Sequence, residues 1–224
     1  MFTRIEQKRY AFFDVDDTLI SVKSMLSFQD FWYQKYPDPE KEAAYRNDLT
    51  THMQPNACWS HLNRLYYSHF SGRKESQIRQ VSNLWFERMR SEMPHFYHEN
   101  VLRRLKNHQA RGEIPVFVSG SFTQLLEPIA IELEVQHILA INLKTIDGIC
   151  TGETLAPQTI AEGKATAVRD FLAKREVLAS TCFAYGDDIS DLPMLKLVGT
   201  AKVVAGGRGL KSVAINNGWE LINP

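Results

Sequence analysis

Phe12-Phe13-Asp14-Val15-Asp16-Asp17-Thr18 joins a hydrophobic run to a cluster of acids, and the fold follows from how that junction is read. The apolar residues ahead of Asp14 show no polar alternation, as expected of a strand covered on both faces in a parallel sheet. Similar runs recur, and residues 10–14, 114–118, 138–143, 181–185 and 201–204 are expected strands. Helical stripes separate them. One carries Leu125, Leu126, Ile129 and Leu133, and another carries Val168, Phe171 and Leu172. This alternation predicts an α/β fold built on a doubly wound parallel sheet. Asp147-Gly148, between two β-rich pairs, predicts a two-residue hairpin and a small antiparallel excursion.

Residues 21–93 break the pattern. No strand is evident there, and the apolar spacing is helical: Met25, Phe28, Phe31 and Trp32; Leu62, Leu65 and Tyr66; Ile78, Val81, Leu84 and Trp85. The segment holds 12 of the chain's 24 aromatic residues in a third of its length. An insertion this small is expected to fill its own core with large side chains, leaving one or two aromatics over a pocket. Pro37, Pro39, Pro55 and Phe70-Ser71-Gly72 divide it into about four helices. We therefore expect a core of residues 1–20 and 94–224, with residues 21–93 as an all-helical cap inserted between the first and second strands.

The 224 residues suffice for one large domain or a core with a modest insertion, and a chain of that size folds without a disulfide or a metal staple. The formal net charge of +0 argues against a nucleic-acid partner gripped by bulk electrostatics. Cys58, Cys150 and Cys182 are widely spaced, with no CxxC pair, which suits a reducing, cytoplasmic setting. Charges scattered through the first ten residues argue against a secretory signal, and no apolar run is long enough to span a membrane. Nothing in the sequence speaks to oligomeric state.

Three more stretches carry chemistry: Val118-Ser119-Gly120-Ser121, Gly163-Lys164 and Tyr185-Gly186-Asp187-Asp188-Ile189-Ser190-Asp191. Asp14 and Asp16 leave the first strand two residues apart, so one carboxylate can attack while the other handles a proton. Asp187 and Asp191 add further negative charge, and an acid cluster of this kind calls for a hard cation such as Mg²⁺. A hydroxyl at Ser119, with backbone N–H groups near Gly120, is suited to gripping a phosphoryl oxygen. Ser121, with Gln124 three residues on, fits a helix capping box. Asp17 and Asp188 have no assigned role. The glycine-rich stretch from Ala205 to Ser212 lacks the full phosphate-loop pattern and reads as the turn after the fifth strand, and Trp219 reads as packing. The seven histidines show no ligand spacing.

In this order the four stretches resemble the haloacid dehalogenase superfamily, in its phosphoserine-phosphatase-like branch, across nearly the whole chain. The resemblance implies an Mg²⁺-dependent phosphatase acting on a small phosphomonoester through an aspartyl-phosphate. It assigns attack to Asp14 and proton transfer to Asp16. It places the metal on the Asp14 carboxylate, the Asp16 carbonyl and Asp187, with Asp191 beside them one turn into the following helix, and gives Lys164 the clamping of the phosphate. Alternatives on the same fold are a phosphotransferase or phosphomutase and a non-catalytic binding protein. A dehalogenase is disfavoured because Asp16 is present. One departure concerns specificity. Where phosphoserine phosphatases carry a glutamate that meets the substrate's ammonium, this chain has Lys23, so phosphoserine is expected to be a poor substrate and an anionic group a better match.

Overall fold

The computed structural model describes residues 8–54 and 57–224. Residues 1–7 of the N-terminal stretch and the expected break at Pro55 lie outside the described residues. The first strand, β1 (Tyr10–Phe13), runs down the middle of a seven-stranded sheet of order β4-β3-β2-β1-β5-β6-β7. Its neighbours are β2 (Ile114–Phe122) and β5 (Phe183–Gly186), both parallel to it. Outward lie β3 (His137–Ile146) on one side, and β6 (Thr200–Val204) and β7 (Glu220–Ile222) on the other. β4 (Ile149–Leu155) returns antiparallel to β3 through the Asp147-Gly148 turn, where both residues have positive φ. β7 is a strand that the sequence reading missed.

Successive side chains of a strand point to opposite faces, and β1 shows the consequence. Phe13 joins one hydrophobic cluster with Phe117, Tyr185 and Leu105, and Phe12 joins another with Val116, Val168 and Leu195. Each Phe is fully buried, and burying such a side chain stabilises by roughly 1.5–3 kcal/mol. Helices α5 (Glu99–Ala110) and α6 (Thr123–Glu132) cover the first face, while α7 (Glu162–Ala173), α8 (Leu192–Leu197) and α9 (Leu210–Asn217) cover the second.

Ahead of α5, residues 21–93 form α1 (Ser24–Lys35), α2 (Pro39–His52), α3 (Trp59–Ser68) and α4 (Glu75–Glu92). Local signals mark α2 well: Asp38 caps it by accepting from the Lys41 N–H, Pro39 opens it, and Glu40 and Glu42 sit in its first turn. These helices do not close a core of their own. Phe122, at the end of β2, lies edge-on to Phe28, Phe70 and Tyr67 with ring centroids 5.0, 5.2 and 6.2 Å away, so helix aromatics and one sheet face form a single cluster. The large side chains of residues 21–93 pack on one another as expected, through pairs such as Tyr33–Tyr45 and Tyr45–Tyr66, but not only so, because β2 runs four residues past its expected end and carries Phe122 up among them. A second seam lies at the β3–β4 hairpin. Gly72 N–H donates to the Cys150 carbonyl, Cys150 N–H to the Arg73 carbonyl and Glu75 N–H to the Gly148 carbonyl. No helix among the described residues is long and apolar enough to cross a membrane.

Candidate active site

Parallel strands deliver their carboxyl ends to one edge of the sheet, and the acids collect there between β1, β2 and β5. Asp14 directly follows β1, and its N–H donates to the Tyr185 carbonyl of β5. Thr18 Oγ1 lies 2.7 Å from Asp187 Oδ1 and 3.2 Å from Asp14 Oδ2, linking the two strand ends. Lys164 Nζ donates to Asp14 Oδ1 at 2.5 Å and to Asp191 Oδ1 at 2.6 Å. Asp191 ends a short 3-10 turn just before α8, where its other oxygen accepts the backbone N–H groups of Asp187 and Asp188.

Two glycines make this packing possible. A Cβ on Gly186 would come within 2.6 Å of the Asp191 carboxylate, and one on Gly163 would collide with the Gln158 carbonyl at 1.7 Å. Only glycine lets Asp191 fold back onto β5, and only glycine lets the first turn of α7 lie against the preceding loop with Lys164 pointing inward.

Asp14, Asp187 and Asp191 each offer an oxygen within 4.8 Å of the others, and all three are buried. Burial pushes the Asp14 carboxyl up to about 7, against the pull of Lys164. Asp187 and Asp191 are pushed up to about 6, again first by burial and then by carboxylates nearby. Burial alone would lower Lys164, but the charges of Asp14 and Asp191 reverse that and hold it protonated. One lysine does not neutralise this many acids. An oxygen-only donor set with excess negative charge fits Mg²⁺.

Asp16 stands apart from that group. Its Oδ2 accepts from the Ser24 backbone N–H at 3.1 Å and from Ser121 Oγ at 3.2 Å, while its Oδ1 is buried and has no partner among the described residues. Burial raises its carboxyl to about 6. Ser121 does not cap α6, which begins two residues later with Phe122 at its N-cap position. The extended β2 turns the Ser121 hydroxyl toward Asp16 instead, which corrects the capping-box reading.

Ser119 and Gly120 lie on the same stretch of β2. Ser119 Oγ accepts the Ser121 N–H at 3.1 Å, and Thr159 Oγ1 donates to the Ser119 carbonyl at 2.7 Å. Above them, Asn63 and Tyr67 of α3 both donate to the Gly120 carbonyl, at 2.9 and 2.8 Å, and Gln158 Nε2 ties Asn63 from the far side. Asn63 and Tyr67 are spaced i,i+4 and so share a helix face, but nothing in the sequence says what that face meets.

Asp17 adopts positive φ and pairs with Lys23 Nζ at 2.5 Å, on a side chain 55% exposed. Lys23 therefore stands at the rim with its charge engaged. Asp188 caps the 3-10 turn and accepts from Arg208, whose guanidinium stacks 4.5 Å over Trp59. The turn after β6 reaches back to the site through Arg208, and Trp219 packs against the second core cluster. His108 is buried between Glu113 and Tyr185, a core position.

Comparison with known proteins agrees with this architecture. The family model for haloacid dehalogenase-like hydrolases matches residues 11–196. A Mycobacterium tuberculosis protein named as a probable phosphatase is 31% identical over 221 residues, covering 95% of this chain and 74% of that protein. A histidinol-phosphatase of Neisseria meningitidis is 25% identical over 223 residues, covering 96% and 99%. Among solved structures, a Bordetella pertussis protein of unknown function superposes with a TM-score of 0.83 at 23% identity, covering 96% of this chain and 98% of its own. A phosphoserine phosphatase holding an analogue of its phospho-aspartyl intermediate superposes with a TM-score of 0.65 at 16% identity, covering 96% and 93%. Those two likenesses concern the fold. With a family model spanning most of its length and a 31% identical relative matched over 95% of this chain and 74% of its own, the chain belongs to the haloacid dehalogenase-like hydrolases.

Proposed function

We propose that this hydrolase is a phosphatase that cleaves a small phosphomonoester through a phosphoryl group carried on Asp14. The observation that supports this most is the placement of Asp14 at the end of β1 with Lys164 on one oxygen and Thr18 beside the other. A carboxylate so held points at one place, and a cation beside it tempers the charge on an incoming phosphate. Asp14 attacks phosphorus, and Asp16 gives its proton to the departing alkoxide. A water then attacks the acyl phosphate, Asp16 takes the water's proton, and Asp14 returns to its starting state. Ser119, the Gly120 N–H and Lys164 hold the transferring oxygens.

Asp14, Asp187 and the Asp16 carbonyl would hold Mg²⁺, with Asp191 beside them orienting Lys164. Bound there, the ion supplies charge stabilisation for the phosphoryl oxygens. Residues 21–93 serve as the cap over the site, with the core in residues 1–20 and 94–224. The names of the relatives, a probable phosphatase and a histidinol-phosphatase, favour a small metabolite as substrate. Three unbonded cysteines suit a reducing, cytoplasmic setting. Lys23 sets a rim without a free carboxylate for an ammonium, which disfavours phosphoserine. The deciding test is phosphate release from a panel of phosphomonoesters with Mg²⁺ or EDTA. Activity indifferent to EDTA, or equal in the Asp14→Asn variant, overturns the reading.

A further inference from the structure

The two oxygens of Asp16 are treated differently by their surroundings. Oδ2 receives two hydrogen bonds, one from the Ser24 N–H and one from the Ser121 hydroxyl. The two serine hydroxyls are themselves 2.7 Å apart, so Ser24 Oγ donates to Ser121 Oγ, and Ser121 Oγ donates onward to the carboxyl. Oδ1 receives nothing, although it is buried. Two donors on one oxygen favour negative charge there, which leaves the proton to the other.

The two serines come from different parts of the chain. Ser121 belongs to β2, beside the phosphate-binding stretch. Ser24 is the first residue of α1 and is completely buried. A helix start carries N–H groups with no partner inside the helix, usually satisfied by a capping side chain. Lys23 occupies the capping position here and its side chain makes no cap bond. The Asp16 carboxyl takes its place, so the first turn of the helical insertion and the proposed proton donor satisfy one another.

We propose that Ser24 and Ser121 are positioning residues that fix Asp16 with Oδ1 as its proton-carrying oxygen, and that this arrangement is complete only when α1 is docked against β2. The inference rests on the reading of Asp16 as proton donor. During cleavage the Asp16 Oδ1–H bond breaks, its proton passes to the ester oxygen, and that oxygen keeps the electron pair of the breaking P–O bond. Asp14 supplies the new bond to phosphorus. Loss of the α1 start from this position removes the Ser24 N–H and the Ser24 hydroxyl together and leaves Ser121 as the one remaining donor to Asp16.

The test compares phenyl phosphate with p-nitrophenyl phosphate, esters of similar shape whose leaving groups differ in their need for a proton. Ser24→Pro removes both the N–H and the hydroxyl at a first-turn position where proline is tolerated. Ser24→Ala and Ser121→Ala remove hydroxyls only, and Asp16→Asn serves as reference. Asp16→Asn is expected to lose ~10²-fold or more in kcat on phenyl phosphate and far less on p-nitrophenyl phosphate. Ser24→Pro should follow the same pattern, with KM little changed, and the two alanine variants should show it at ~10-fold. If Asp16→Asn is selective while the serine variants lose both substrates equally or neither, the positioning role is overturned and the proton-donor reading stands. If Asp16→Asn itself shows no selectivity, the reading beneath the inference fails as well. Should Ser24→Pro melt well below wild type, the two alanine variants decide by the same criterion.

Discussion

Asp14 and Asp16 are two residues apart and are held by different parts of the molecule. Asp14 is fixed from below, by Lys164 in the first turn of α7 and by Thr18 of its own loop. Asp16 is fixed partly from above, by Ser24 at the start of α1. The floor of the site is an electrostatic construction of buried carboxylates around one lysine. The roof is a packing construction of aromatic side chains with a few polar bonds to the Gly120 carbonyl. On the proposed reading, charge at the floor would govern the chemistry and packing in the roof would govern whether the site is assembled.

Substitutions should separate the two. At the floor, Asp14→Asn preserves shape and removes the proposed nucleophile, so phosphate release should fall at least ~1,000-fold while the melting temperature holds or rises. Residual activity above that level would break the assignment. In the roof, Phe70→Ala opens a cavity among Phe28, Tyr66, Tyr67 and Phe122 and should cost about 3 kcal/mol by urea denaturation. A loss below about 1 kcal/mol would mean that the helices do not share a core with the sheet.

The floor also predicts a pH effect with a definite sign. Asp14, Asp187 and Asp191 bind their protons more tightly folded than unfolded, since burial raises them from 3.8 to about 7, 6 and 6. Their effect is therefore least harmful below about pH 4 and increasingly destabilising as pH rises toward 7. Mg²⁺ favours the ionised carboxylates, so the gain in melting temperature on replacing EDTA by Mg²⁺ should be larger at pH 8 than at pH 5. Equal gains would detach the metal from these acids. A smaller effect belongs to the roof: Tyr67→Phe removes one donor to the Gly120 carbonyl and should lower kcat/KM about fivefold, at a cost near 1 kcal/mol. Smallest of all is the rim. Because Lys23 already pairs with Asp17 in water, Lys23→Glu should raise phosphoserine turnover relative to a neutral ester only two- to fivefold, consistent with an exposed ion pair. A hundredfold gain would make Lys23 the main determinant of specificity.

The floor was legible in the sequence and the roof was not, for a physical reason. Asp14, Lys164, Asp187 and Asp191 follow strands or open helices, where hydrophobic runs and turn residues announce the element and the acid stands out at its end. Even so, the rotation of the Ser121 hydroxyl away from α6 depended on β2 extending to Phe122, which a run read as 114–118 does not show. Four helices could be inferred within residues 21–93 from spacing and proline breaks. Their contacts could not, because Asn63 and Tyr67 find Gly120 across 57 and 53 residues of chain, and helical periodicity carries no information about such a partner. β7 escaped notice because its three residues, Glu220–Ile222, are too few to show alternation.

Phe122 has a last consequence, for the way the protein comes apart. An insertion with its own core would melt as an independent unit and give two heat-absorption peaks. Here one ring, fully buried, serves as common ground for helices α1 and α3 and for the end of a central strand. Neither layer can release it without exposing the apolar surface of the other, so calorimetry should record one transition, with equal calorimetric and van't Hoff enthalpies.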